Sequence, residues 1–139
     1  MGAFFGTDGV RGHVGREIDQ AKLFSLGVAA SKHLGTKRVY LGRDTREYSF
    51  ALAAALKDGF NRGGVEVVSL GVAPTPEVAH VAKVENVGGA VISASHNPWF
   101  DNGVKLFRLG GLKISDSIQD LIQLDWEKEQ LEELSLIHI

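Results

Sequence analysis

From Ser93 to Lys105 the chain reads Ser-Ala-Ser-His-Asn-Pro-Trp-Phe-Asp-Asn-Gly-Val-Lys, gathering hydroxyls, an imidazole, a carboxamide and an ammonium group on one short stretch. The apolar run Gly89-Ala-Val-Ile92 before it predicts a short buried strand, and Pro98 forbids continuation of a central ladder. Asn102-Gly103 reads as a second turn ahead of the apolar Val104, Leu106 and Phe107. The result is a reactive-looking loop held at both ends by buried segments, and loops on rigid scaffolds often carry chemistry. A serine hydrolase built on Ser95 and His96 is poorly supported. Adjacent loop residues seldom give a relayed geometry, and no Gly-x-Ser-x-Gly elbow is present. Taken alone, the stretch also fits a polar surface turn.

The elements that would position this loop alternate in type. Asp19 is a candidate cap for a helix carrying Leu23, Leu26, Gly27, Ala30 and Leu34 and stopping near Gly35. Val39-Tyr40-Leu41 reads as a strand, followed by a helix from about Ser49 to Arg62 and, after Gly63-Gly64, a strand around Val65–Leu70. Thr75-Pro76-Glu77 supplies a capping hydroxyl, a first-turn proline and an acid, and so predicts a third helix start. Beyond the central loop, Val104–Phe107 reads as a strand and Ser115 opens a final helix. The two strands around the loop lie too close for a helical crossover, so one pairing at least is antiparallel. The expected fold is a three-layer α/β/α domain with a mixed, mainly parallel sheet. Residues 1–133 are expected to form this domain. The apolar 134–139 reads as a non-native or truncated tail, the end of a gene fragment.

Composition narrows the function classes. The chain has 139 residues, room for one sizeable core, and 44% hydrophobic and 23% charged residues, an ordinary globular balance. A net charge of −2 offers no general attraction to nucleic acid or an anionic membrane. Without cysteine there is no disulfide framework, thiolate chemistry or cysteine-based zinc site. No apolar run approaches the roughly 20 residues of a membrane span. The start lacks signal-peptide features, and Gly6 replaces the Ser or Thr a myristoylation motif requires. The expected location is cytoplasmic. Glycines at 6, 9, 12 and 15 follow neither the dinucleotide nor the Walker spacing, and Gly9–Gly12 reads as a glycine-rich turn that permits close approach of another loop. His13, His33, His80 and His138 form no metal-ligand spacing, which favours packing or surface roles.

Three motifs, in order, carry a family resemblance: Phe5-Gly-Thr-Asp-Gly-Val-Arg-Gly12, Gly42-Arg-Asp-Thr-Arg46, and Ile92-Ser-Ala-Ser-His-Asn-Pro98 with Asp101-Asn-Gly-Val-Lys-Leu-Phe107. Together they resemble the first domain of the α-D-phosphohexomutases, and the resemblance covers nearly the whole chain before residue 134. The Thr-Asp-Gly opening and the Ser-Ala-Ser-His form are most similar to the amino-sugar branch. The chain departs from the family pattern after Arg46. There Glu47-Tyr48-Ser49 replaces the usual residue followed by Ser-Gly, which bears on the local helix start.

The resemblance implies that Ser95 carries a phosphoryl group, interconverting glucosamine 6-phosphate and glucosamine 1-phosphate by giving it to one hydroxyl and recovering it from another. Phosphoryl transfer depends mainly on positioning and charge stabilisation, and phosphoserine brings about −1.5 to −2 charge that cations must offset. By the same resemblance Arg11 forks onto phosphate oxygens, Lys105 assists proton movement at the reacting hydroxyl, and His96 and Asn97 shape the loop and hydrogen-bond the phosphoryl group. Read without it, Arg11 could simply pair with Asp8, His96 could only structure the loop, and Arg43, Asp44 and Arg46 form a structural ion network. The family's Mg²⁺ is implied to meet Ser95 through its phosphate, with the remaining ligands on an Asp-x-Asp-x-Asp-Arg loop of a second domain. No Asp-x-Asp occurs in this sequence. The implied partners are a phosphosugar, a sugar 1,6-bisphosphate activator and domains II–IV; a homodimer stays open. By itself this chain is expected to be inactive. The alternatives are a phosphomannomutase or phosphoglucomutase domain, or a non-catalytic α/β binding module.

Overall fold

The computed structural model describes residues 5–6, 9–93 and 101–137, and Thr7, Asp8, Pro98 and His138 lie outside them. The elements are β1 Phe5–Gly6, β2 Gly9–His13, α1 Gln20–Ser31, β3 Arg38–Arg43, α2 Ser49–Arg62, β4 Glu66–Val72, α3 Thr75–Glu85, β5 Gly88–Ile92, β6 Asp101–Arg108, β7 Leu112–Lys113 and α4 Asp116–Ile137. They build a 7-stranded sheet in the order β1-β2-β6-β5-β3-β4, with β7 branching from β6. The α/β/α layering and the mixed sheet are as expected. Parallel pairing, however, is confined to β4 and β5 on either side of β3. The β1–β2, β2–β6, β5–β6 and β6–β7 pairings are antiparallel, so the expected predominance of parallel pairing holds only around β3. The reason is local: β3, β4 and β5 follow one another through α2 and α3, whereas β1–β2, β5–β6 and β6–β7 are joined by short connections that reverse the chain; β2 and β3, joined through α1, are not neighbours in the sheet.

Right-handed crossovers explain the two helical layers. The chain moves outward from β3 to β4 through α2, then back past β3 to β5 through α3, so a constant hand puts the two helices on opposite faces. On the face of α1, α2 and α4 the core gathers Val10, Leu23, Leu26, Leu52, Leu56, Phe60, Ile92, Val104, Leu106, Ile122 and Trp126. The α3 face is smaller, with Ala73, Val78, Val91 and Phe107. Alternation along β6 sends Val104 and Leu106 to the first core and Phe107 to the second.

Helix starts show which local signals hold. The Asp19 side chain accepts from the Lys22 amide at 2.7 Å, capping α1 as its sequence predicts. Ser115 Oγ accepts from the Ile118 amide at 3.3 Å ahead of α4. Thr75 is not the cap of α3. Pro74 holds that position with extended backbone and no side-chain bond, and Thr75 is the first helical residue.

Helix α4 is held on α1 by polar contacts around the buried Trp126. Its indole Nε1 donates to the Lys22 carbonyl at 2.9 Å, His33 Nε2 meets Asp125 Oδ2, and Lys32 Nζ lies 3.4 Å from Glu129 Oε1. The hydrogen bond from His33 is the main cause holding the Asp125 carboxyl below its ordinary 3.8, against the opposing effect of desolvation. A carboxylate with a depressed folded pKa adds stability above its unfolded pKa and loses it as pH falls through the folded value. Asp125→Asn is therefore expected to lower stability by about 0.5–1 kcal/mol near neutrality and to flatten the acid limb below about pH 4. Urea midpoints across pH test this, and parallel curves for the two proteins would contradict it.

Candidate functional site

The carboxyl ends of β3, β4 and β5 border a concavity of about 510 Å³, lined by Arg43, Asp44, Thr45, Val72, Ala73, Pro74, Thr75, Pro76, Val91 and Ser93. In open α/β sheets ligands bind in such crevices, where connections from neighbouring strands part to opposite faces. Here the chain leaves β3 towards α2 and leaves the neighbouring β4 towards α3, on the opposite face. Ser93, on the rim, is the last described residue before the segment carrying Ser95, His96 and Asn97, which lie outside the described residues.

Arg11 and Lys105 are described, and register places them on one face. Arg11 pairs with Gly103 across β2–β6, and Lys105, two residues further along β6, pairs with Val91 across β5–β6. Directly opposed residues share a face, as do residues two apart, so both cations are on the α3 side, with Val91 and Ser93. The Arg11 stem runs over Gly103: a Cβ added there would lie 3.0 Å from Arg11 Cγ and 3.2 Å from the Ser93 carbonyl oxygen. Gly103 thus lets the Arg11 side chain cross to the end of β5. The Lys105 ammonium lies 5.7 Å from the centre of the Phe107 ring. Neither cation lines the concavity; they flank it along the sheet.

Two sequence expectations are corrected here. Residues Gly9–Gly12 belong to strand β2, hydrogen-bonded to β6, rather than to a glycine-rich turn. Gly9 adopts φ of +88° and leaves no room for a Cβ against the Val104 carbonyl, so glycine serves close strand approach at this end of β2. Asn102-Gly103 is likewise not a turn but the beginning of β6, paired with Gly12 and Arg11. The turn preference of Asn-Gly yields because the Asn102 amide is buried and bonded: its Nδ2 donates to Ser49 Oγ at 2.8 Å and its Oδ1 accepts from the Gly103 amide at 2.9 Å.

Of the expected network of Arg43, Asp44 and Arg46, the structure forms the Arg46–Asp44 ion pair, while Arg43 donates to the Asp44 backbone carbonyl instead. Arg46 Nε lies 3.2 Å from Asp44 Oδ2, and the Arg46 amide donates to Asp44 Oδ1 at 3.1 Å. The Arg43 guanidinium stacks 5.2 Å from the centre of the Phe50 ring. Asp44 Oδ1 also accepts from Ser49 Oγ. Sequence reading missed Ser49 and Asn102 as site residues. The available signal was Ser49 itself, a hydroxyl where the family pattern has glycine. Among the described residues no three His, Asp or Glu side chains gather to hold a metal, so they do not form a Mg²⁺ site of their own. No described helix is long and apolar enough to cross a membrane.

The α/β/α domain thus carries two cations on one face, beside a serine-bearing strand end. The chain matches the description phosphoglucomutase/phosphomannomutase, alpha/beta/alpha domain I, over residues 2–133, and it belongs to that family. It is 44% identical to a phosphoglucosamine mutase of Bifidobacterium adolescentis over 92% of this chain and 31% of that protein. A phosphoglucosamine mutase of Pseudoalteromonas translucida is 46% identical over 84% of this chain and 27% of its own length. Among solved structures, a Thermus thermophilus protein assigned as a phosphomannomutase superposes with a TM-score of 0.80 and 35% identity, covering 88% of this chain and 29% of that one. The chain thus spans about three-tenths of the length of these relatives.

Proposed function

We propose that this chain is the phosphoserine-bearing domain of a phosphoglucosamine mutase-like enzyme, with Ser95 carrying the phosphoryl group exchanged between glucosamine 6-phosphate and glucosamine 1-phosphate. The observation that carries this reading is the placement of Arg11 and Lys105 on one face of the sheet, beside the strand ends from which the Ser95 segment leaves and to which it returns. In the forward step a hydroxyl oxygen of the sugar phosphate bonds to phosphorus while the Ser95 Oγ–phosphorus bond breaks. The hydroxyl proton passes to Lys105 when that amine is free to accept it, and Arg11 offsets charge on the phosphoryl oxygens. Transfer back from the bisphosphate regenerates phosphoserine. Asn97 and His96 hydrogen-bond around the group. Mg²⁺, when bound, supplies further charge neutralisation through the phosphate, its other ligands coming from a second domain. A sugar 1,6-bisphosphate primes Ser95.

The curated relatives carry the glucosamine specificity in their names, which favours it over the mannose and glucose alternatives. The test is a fusion of this chain to domains II–IV of the Bifidobacterium relative, assayed with glucosamine 6-phosphate, Mg²⁺ and the 1,6-bisphosphate. Turnover is expected in the fusion and background rates in the isolated chain. Lys105→Ala is expected to lower kcat by about 10²–10⁴-fold if Lys105 moves the proton. Undiminished turnover in Ser95→Ala would refute the reading.

A further inference from the structure

We infer that Asp44, acting through Ser49, clamps together the two stems of the segment that carries Ser95, making Ser49 and Asn102 positioning residues for phosphoryl transfer. The outgoing stem is tied directly: the Asp44 amide donates to the Ile92 carbonyl at 2.9 Å. The returning stem is tied through a buried relay, in which Asn102 Nδ2 donates to Ser49 Oγ and Ser49 Oγ donates to Asp44 Oδ1. The stems also meet each other, the Ser93 amide donating to the Gly103 carbonyl at 2.9 Å. One residue just after β3 is therefore linked to both sides of the segment, directly to one and through Ser49 to the other.

Burial gives the relay its direction. Ser49 is 0% and Asn102 1% exposed, and burying a hydroxyl or an amide is unfavourable unless its hydrogen bonds are made. A serine hydroxyl has one proton, so accepting from Asn102 and donating to Asp44 uses it in both capacities. That arrangement fixes the Asn102 amide with nitrogen towards Ser49 and oxygen towards the Gly103 amide. Arg46 holds the other Asp44 oxygen, so the carboxylate is anchored from the loop side as well. Neither Ser49 nor Asn102 need touch substrate. They set where the segment leaves β5 and rejoins β6, and Gly103, over which Arg11 crosses, is the next residue after Asn102.

This inference rests on the phosphoserine reading for its purpose, but its test needs no turnover. Amide hydrogen exchange by NMR on this chain should show Ser93 and Gly103 exchanging at least about 10-fold faster in Ser49→Ala, with Leu26 and Leu41 unchanged, and Ser49→Thr should restore protection by keeping the hydroxyl. A second measurement covers a variant that fails to fold: in the unaltered chain the Asn102 side-chain amide protons should exchange far more slowly than those of the exposed Asn61. The clamp is refuted by unchanged Ser93 and Gly103 exchange in Ser49→Ala, by a uniform quickening through the sheet, by failure of Ser49→Thr to restore protection, or by an Asn102 amide as labile as Asn61. Failure here leaves the phosphoserine reading standing, and absence of phosphate on Ser95 leaves the clamp standing.

Discussion

Trp126→Ala is expected to lower the stability of the chain by about 3–5 kcal/mol, the range for removing a fully buried aromatic side chain. Trp126 is completely buried where α4 lies against α1, beside Leu23, Leu26 and Ile122 in the same core. Its removal leaves a cavity that two packed helices cannot close without losing other contacts. It also removes the indole donor to the Lys22 carbonyl. Trp126→Phe keeps most of the volume and loses only that bond, so its cost should be nearer 1–2 kcal/mol. Thermal unfolding separates the cases: a fall in Tm of about 10 °C or more is expected for alanine, and a few degrees for phenylalanine. Equal small shifts would mean that α4 contributes little to the fold.

Gly9→Ala is expected to be nearly as damaging, by about 2–5 kcal/mol, and to reach the site. Its backbone lies in the left-handed region at φ +88°, which strains any side chain by about 1–2 kcal/mol. The added methyl would also fall on the Val104 carbonyl and lie 3.1 Å from Lys105 Cα, a clash in the 1–3 kcal/mol range for overpacking. Relief requires β2 to move away from β6. Since Arg11 is two residues along β2, that shift carries its guanidinium away from Gly103 and the end of β5. The variant should therefore lose Tm and, in the fusion, lose turnover beyond what its remaining folded fraction explains. A variant as stable and active as the parent would show that β2 does not position Arg11.

Much of the scaffold was legible because local signals agreed with burial. Asp19 caps α1 as expected, α2 spans the predicted Ser49–Arg62, and β5 follows from its unbroken apolar run. Short-range signals failed where tertiary pairing overrode them. Gly9–His13 contains three glycine or histidine positions with poor strand preference, yet backbone bonds to β1 and β6 make it a strand between two others. Asn102-Gly103 has turn chemistry, but a buried partner 53 residues earlier holds the Asn102 side chain in the sheet. Such a partner leaves no trace in nearby spacing. The juxtaposition of Arg11 with the end of β5 was expected only from the family resemblance; register and the open space at Gly103 supply its physical means.

The most direct test of the central claim is to find the phosphate. The fusion of this chain to domains II–IV is incubated with a labelled sugar 1,6-bisphosphate and Mg²⁺, and the modified residue is mapped by mass spectrometry. Ser93, whose backbone is bonded to Gly103 at the end of the strand, is the internal comparison two residues away. Label on Ser95, absent from Ser95→Ala and retained in Ser93→Ala, is the result this account predicts. Label on Ser93, or no label on a fusion that nevertheless turns over, would contradict it.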